Sequence, residues 1–266
     1  MKKIFGEIIG EAAKVGQMLW QRGWAEKNAG NLSHDVTSLL PAKPAKLKGI
    51  PFRKQDGLPR EMAGRSFLVT GTGTRFRDIE KNAEGCLCVL RLDEKAEGYH
   101  ILWGGKGGSF KPTSELSSHL RMQSTLFHRG GGMKTVLHTH PNELIALTHL
   151  PETNNQQALN QALWGMIPEA KLFVPKGVGL VPYELTGSEA LARATVKVLD
   201  EGYQIVLWEK HGALAVGKGP DEAFDLIEAM NKAATLYLLC RHAGAKPQGL
   251  TAEQIEEIGR TYPPKD

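Results

Sequence analysis

The chain has 266 residues, enough to bury a core as one large domain or two small ones. Hydrophobic residues make up 41% and charged residues 23%, which excludes overall disorder, while 30 Gly and 14 Pro predict many turns and exclude collagen-like and coiled-coil folds. A formal charge of +4 raises the question of a polyanionic partner.

Phe5, Ile8, Ile9, Ala12, Val15 and Leu19 recur at helical spacing and predict an amphipathic helix ending near Gly23. A polar turn follows, Asn28-Ala-Gly-Asn31, in which Asn28 and Asn31 are candidate Asx-turn formers. Between Pro41 and Arg65 seven basic residues face two acidic ones, a local +5, so the remainder of the chain is −1. That segment also holds Pro41, Pro44, Pro51 and Pro59, and reads as an exposed irregular insertion rather than a basic helical stripe. With no aromatic platform or RNA motif beside it, no nucleic-acid partner is expected.

Short β-type runs follow at 66–70, 86–92, 99–103, 135–139, 171–175, 204–208 and 213–216, and helical patterns at 114–128, 142–149, 188–200 and 221–242. Strands come in runs rather than in strict alternation with helices, which predicts a mixed, mostly antiparallel sheet covered by helices. No internal repeat or domain linker is visible, so 1–266 reads as a single domain carrying the 41–65 insertion. Cys86, Cys88 and Cys240 are too few for a disulfide framework, and their odd count fits a reducing compartment. Cys86 and Cys88 read as small residues on one face of a strand rather than metal ligands. Glu7 and Glu11 interrupt any signal-peptide core and no apolar run reaches about 18 residues, so a cytoplasmic protein without a membrane partner is expected.

The strongest chemical signal is His138-Thr-His140, ending the apolar run Thr135-Val-Leu-His-Thr-His140 and stopped by Pro141. Residues two apart on a strand share a face, so both imidazoles can reach one ion. A third ligand should come from a distant histidine, and His211 qualifies because Trp208-Glu-Lys-His-Gly-Ala213 breaks a strand. Three neutral imidazoles leave a fourth position open, the catalytic arrangement for Zn²⁺. The competing reading is a pair of hydrogen-bonded surface histidines, or a cupin-like metal protein using Glu143, against which the helix start after Pro141 speaks. The remaining histidines read as structural, His119 being the most ambiguous.

Pro112-Thr-Ser-Glu-Leu116 reads as a helix start with Thr113 as N-cap, where free N–H groups and the hydroxyls of Thr113 and Ser114 favour an anion. Glu115 would sit in the first turn beside it, where a carboxylate also simply suits the helix dipole. Val69-Thr-Gly-Thr-Gly73 offers a second turn with exposed N–H groups.

Taken together with Arg22-Gly-Trp24, Glu26-Lys-Asn-Ala-Gly-Asn-Leu-Ser33, Gly98-Tyr-His-Ile-Leu-Trp-Gly104, Gly177-Val-Gly-Leu-Val-Pro182 and His211-Gly212, these motifs span nearly the whole chain. In them the chain resembles the class II sugar-phosphate aldolases, most closely their rhamnulose-phosphate branch. The resemblance implies a three-layer α/β/α fold, a homotetramer, and zinc-dependent retro-aldol cleavage of a ketose 1-phosphate. It implies that His138, His140 and His211 hold Zn²⁺ and that Glu115 is the catalytic acid/base. It further implies that Asn31, Thr72, Gly73, Thr113 and Ser114 bind the phosphate, with Asn28 near the substrate hydroxyls. Glu169 is the candidate for a second acid/base, acting across a subunit interface, against the plainer reading of a solvated loop carboxylate. Related enzymes of the superfamily (fuculose-phosphate aldolase, pentulose-phosphate 4-epimerase, methylthioribulose-phosphate dehydratase) and a non-enzymatic adducin-head-like binding module remain as alternatives.

Overall fold

A computed structural model describes residues 4–41, 47 and 49–263. In chain order its elements are α1 (Gly6–Gln21), β1 (Asn31–Asp35), β2 (Phe52–Lys54), β3 (Ser66–Thr70), α2 (Ala83–Cys86), β4 (Leu87–Leu92), β5 (Gly98–Gly104) and α3 (Leu116–Arg129). They continue with β6 (Thr135–Thr139), α4 (Asn142–Leu147), α5 (Gln156–Met166), α6 (Pro168–Phe173), β7 (Val178–Val181) and α7 (Glu189–Asp200). The last four are β8 (Ile205–Trp208), β9 (Gly212–Gly217), α8 (Pro220–His242) and α9 (Ala252–Thr261).

All the strands join one nine-stranded sheet in the order β2-β5-β4-β3-β1-β6-β9-β8-β7. Every neighbouring pair is antiparallel except β7 with β8, the mixed, mostly antiparallel sheet expected from the strand runs. Period-two alternation sorts the strand side chains onto two faces. Leu32, Leu68, Leu137 and Ala215 meet α1, α4, α5, α6 and α8 around Phe224 and Met230. Val136, Val206 and Leu214 meet α3 and α7 on the other face, where Phe67, Val69 and Leu90 also pack on Leu116 and Leu120. Three layers result. Phe5, Phe67 and Phe224 are among the largest fully buried side chains, and truncating any of them to Ala is expected to cost about 3–5 kcal/mol. No helix among the described residues is long and apolar enough to cross a membrane.

Four sequence expectations need correction. The run 171–175 is not a strand: Pro168 occupies the first turn of α6, where its fixed φ and missing N–H suit a helix start, and the strand lies just beyond at β7. The turn expected at Asn28–Asn31 leads directly into β1, a central strand that polarity conceals. Its Ser33, His34 and Asp35 are buried but bonded, His34 Nδ1 to Thr135 Oγ1 at 2.7 Å and Asp35 to Arg65. The insertion is not wholly irregular, because β2 pairs with β5 and His100 Nδ1 donates to the Ile50 carbonyl at 3.0 Å; Lys43, Pro44, Lys46 and Lys48 lie outside the described residues. Cys86 closes the short α2 while Cys88 lies in β4, so the two buried thiols do not share a strand face. Helices α5 and α9, which the periodicity did not reveal, are marked instead by caps: Asn155 accepts from Ala158 N–H, and Thr251 with Gln254 forms a capping box.

Burial, with repulsion from Lys134 adding to it and Asp35 opposing, pushes the His34 imidazole down to about 4. The native state therefore binds fewer protons than the unfolded chain as pH falls below the ordinary histidine value. Stability is fully present above that value and is lost towards the folded pKa, by up to about 1.4 kcal/mol per pH unit for this group. The loss of melting temperature between about pH 7 and about pH 4.5, measured in chelator, should be smaller for His34→Asn than for the parent; equal losses would contradict the assignment.

Candidate metal centre and active site

Three histidines converge where β6 ends and where β8 turns into β9. His138 is buried near the end of β6, His140 follows it, and His211 sits in the β8–β9 turn. One potential ligand nitrogen from each lies within 4.8 Å of the other two. The spacing of two along β6 supplies the first pair. The turn supplies the third: Lys210 adopts φ +58° and donates its N–H to Thr148 Oγ1 at 2.9 Å, a conformation unusual for a residue with a side chain. Trp208, with its ring 4.5 Å from that of His138 and 5.0 Å from that of His211, forms an apolar wall.

The surroundings of the cluster fit a cation. His138 Nδ1 donates to the Ala213 carbonyl at 3.0 Å and His140 Nδ1 to Glu26 Oε1 at 2.8 Å, which leaves the Nε2 lone pair of each ring available. His211 Nδ1 is buried with no hydrogen-bond partner among the described residues, an orphan nitrogen that metal ligation would satisfy. Burial, then repulsion between the imidazoles, holds His138 well below its ordinary pKa and His211 at about 4. Both are therefore neutral near neutral pH, the state in which imidazole ligates. Three imidazole nitrogens and no thiolate suit a borderline cation such as zinc with an open coordination position.

Glu115 lies one strand away. It is the N-cap residue of α3, so the helix begins two residues later than expected, and Thr113 Oγ1 instead accepts from Glu115 N–H at 3.3 Å in the preceding turn. Asn31 Nδ2 donates to Glu115 Oε2 at 3.1 Å, and the β1–β6 register sets Asn31 opposite His138. The carboxylate and the histidines are thus tied to adjacent strands.

The phosphate candidates divide. Thr72, Thr113 and Ser114 line one cavity of about 580 Å³. Thr72 spends both donors internally, its N–H on the Lys111 carbonyl at 2.9 Å and its hydroxyl on the Pro112 carbonyl at 2.6 Å. Gly73, at φ +73°, presents an N–H with no partner among the described residues, and Asn28 and Ser114 are exposed. Asn31 points instead to Glu115 and His119. Glu169 is exposed in the first turn of α6 and has no hydrogen-bond or ion-pair partner among the described residues.

Sequence reasoning missed three contributors. Glu26, which orients His140, carried no signal beyond its polar loop. Arg53 of β2 donates to the Phe110 carbonyl at 2.8 Å and, with Lys54 and Lys111, makes the 580 Å³ cavity cationic with no acidic residue in its wall. His119 lies one helical turn beyond Glu115, and that spacing of four could have drawn attention to it.

Gly212 adjoins the histidine cluster. A Cβ there would lie 2.7 Å from the Thr139 carbonyl oxygen, 2.8 Å from His138 Cε1 and 2.9 Å from His140 Cδ2. Gly212→Ala is expected to weaken zinc binding about 10–100-fold with far-ultraviolet circular dichroism retained. Unchanged affinity in a competitive chelator titration would show that the two rings need not hold their positions.

The chain matches the family described as Class II Aldolase and Adducin N-terminal domain over residues 10–238. It is 36% identical to a rhamnulose-1-phosphate aldolase of Bacteroides thetaiotaomicron over 255 residues, 96% of this chain and 93% of that one. It is 31% identical to the Listeria welshimeri protein of the same name over 265 residues, 95% of this chain and 90% of that one. Among solved structures, a sugar-phosphate aldolase from Thermotoga maritima superposes with a TM-score of 0.76 at 33% identity, covering 92% of this chain and 99% of that one. An L-fuculose 1-phosphate aldolase at 21% identity, with a TM-score of 0.62 over 96% of each chain, shares the fold. With its family match spanning most of its length and relatives above 30% identity covering nearly all of it, the chain belongs to the class II aldolase and adducin N-terminal domain family.

Proposed function

We propose that the chain is an aldehyde-lyase that reversibly cleaves L-rhamnulose 1-phosphate to dihydroxyacetone phosphate and L-lactaldehyde, in the cytoplasm, as a homotetramer with one Zn²⁺ per subunit. The observation that carries this reading is the trio of histidines beside the Glu115 carboxylate, in a chain whose relatives at 31–36% identity bear that activity in their names.

Cleavage breaks the C3–C4 bond. The C4 hydroxyl loses its proton, C4 becomes the aldehyde carbon, and the electron pair stays with the C1–C3 fragment until C3 takes up a proton. Zn²⁺ held by His138, His140 and His211 would supply Lewis acidity toward the C2 carbonyl and C3 hydroxyl oxygens. Glu115 gives the proton to C3, and removes it in the aldol direction, while the Asn31 amide fixes one of its oxygens. Glu169, exposed and unpaired among the described residues, takes the C4 hydroxyl proton from across a subunit interface. The Gly73 N–H and the hydroxyls of Thr113 and Ser114 are the free donors for the phosphate. Thr72 shapes that pocket and Asn28 meets the sugar hydroxyls. Binding the remote phosphate holds C3 and C4 in reacting geometry.

Coupled assay of dihydroxyacetone phosphate release should show cleavage of L-rhamnulose 1-phosphate that EDTA abolishes and Zn²⁺ restores. Preferential cleavage of L-fuculose 1-phosphate would assign the chain to another branch. A lysine adduct trapped by borohydride would assign it to the Schiff-base class. Glu115→Gln should lower kcat by about 10²–10⁴-fold with zinc content unchanged, and turnover near that of the parent would remove Glu115 from the mechanism.

The cationic wall of the phosphate cavity yields a separate expectation. Lys54→Gln and Lys111→Gln should each raise KM by about threefold at low ionic strength, an effect that fades as salt is added, with kcat unchanged. A salt-independent KM would show that these lysines do not attract the substrate.

A further inference from the structure

A chain of buried side chains runs away from Glu115 between α3 and β1, and the proposed reaction does not account for it. Glu115, His119 and Gln123 stand four residues apart on α3 and so form one stripe, while Asn31 and Ser33 point from one face of β1 towards it. His119 and Ser33 are fully buried and Gln123 is 2% exposed. Asn31 Nδ2 lies 3.1 Å from Glu115 Oε2, Asn31 Oδ1 contacts His119 Nε2, His119 Nδ1 lies 2.9 Å from Ser33 Oγ, and Gln123 Nε2 lies 3.0 Å from the same Ser33 oxygen.

The donor inventory allows one direction through this chain. As the base of the aldol direction the Glu115 carboxylate only accepts, so the Asn31 amide must then turn its NH₂ to Glu115 and its carbonyl to His119. That carbonyl requires a proton on His119 Nε2. Burial pushes the His119 pKa down to about 4, so the ring carries one proton and Nδ1 is a bare acceptor. Ser33 must then donate its hydroxyl to Nδ1, which leaves its oxygen lone pairs to accept from Gln123. Gln123 is itself fixed, because its NH₂ also donates to the Lys134 carbonyl at 2.9 Å. Every bond from Gln123 onward donates towards Glu115. With the other His119 tautomer, a lone pair would face the Asn31 carbonyl. The amide would then have to rotate, turning its oxygen onto the Glu115 carboxylate.

We propose that His119, locked by Ser33 and Gln123 as its Nε2–H tautomer, is a positioning residue that sets the orientation of the Asn31 amide and through it the Glu115 carboxylate. The orientation of Asn31 is then a property of the core rather than of the ligand, and the acid/base is held before substrate arrives. This inference rests on the reading of Glu115 as the acid/base, and half of its test is independent of that reading.

The independent half is ¹⁵N NMR of the histidine side chains in the zinc-loaded protein without substrate. The His119 resonance should show a neutral ring protonated at Nε2 with Nδ1 shifted as a hydrogen-bonded acceptor, and Ser33→Ala should remove that hydrogen-bond shift. A charged ring or an Nδ1–H ring in the parent protein would overturn the proposal, whether or not the protein cleaves any sugar phosphate. The kinetic half compares His119→Leu with His119→Gln, whose amide can still donate to Asn31. His119→Leu should lower kcat by about 10–100-fold with KM and zinc content little changed, and His119→Gln should recover a large part of the loss. If Leu and Gln lower kcat and KM alike, or lose zinc in proportion to the activity lost, His119 serves packing and the proposal fails. If the histidine variants do not fold, Ser33→Ala takes their place: a fall in kcat alongside the loss of the Nδ1 hydrogen-bond shift supports the proposal, and an unchanged kcat overturns it.

Discussion

The register of β1 against β6 is the constraint on which the site depends. Asn31 pairs with His138 and Ser33 with Val136, so the strand that bonds to Glu115 and the strand that carries two of the three candidate metal ligands are fixed to one another by backbone hydrogen bonds. A slip of one residue in this pairing would move Asn31 and Ser33 to the opposite face and bring Leu32 against α3. The apolar partners oppose that slip, because Leu32 and Leu137 belong together to the core beneath α8 while Val136 belongs to the core beneath α3 and α7. Ordinary hydrophobic sorting across the sheet therefore aligns a carboxylate with three imidazoles.

Burial has the same first effect on His34, His119, His138 and His211: it disfavours the charged ring. What distinguishes them is the partner at the other nitrogen. Backbone and carboxylate acceptors at Nδ1 of His138 and His140 turn a lone pair outward toward a shared point. A hydroxyl donor at Nδ1 of His119 turns a proton toward Asn31 instead, and Thr135 gives His34 a local bond that leads no further. Imidazoles of one kind are thus set up as candidate ligand, relay or filler according to a single neighbouring atom. The cost of burying so much polarity is tolerable only because each of these bonds is made.

Much of this could be read in the sequence, and the reasons for the remainder are physical. The His138–His140 pair is legible because period-two spacing translates directly into a shared face, and His211 because a glycine-containing strand break marks a turn. The sheet type followed from runs of strands. Strand β1 was hidden because its stability comes from satisfied buried polar groups rather than from an apolar alternation, and β7 because the apolar run 171–175 just before it, which is mostly α6, has the composition of a strand. The Thr113 cap was misplaced by two residues because the Thr113 hydroxyl accepts from Glu115 N–H in a turn ahead of the helix, while Glu115, at the N-cap, makes no side-chain capping bond and turns its carboxylate to Asn31. Glu26 and His119 bond to partners distant in sequence, Glu26 to His140 and His119 to Asn31, and local sequence offers at most the spacing of four between Glu115 and His119 as a sign.

The two rims of the sheet also bear on self-association. An exposed strand edge is a template on which another chain can add a strand, and the sheet ends in β2 on one side and β7 on the other. Strand β2 is three residues long, follows Pro51 and carries Arg53 and Lys54; β7 is four residues long and is closed by Pro182. Neither edge offers an incoming strand more than a short ladder, and one of them meets it with positive charge. The basic segment that first suggested a polyanionic partner thus also works as a guard against self-association through edge pairing.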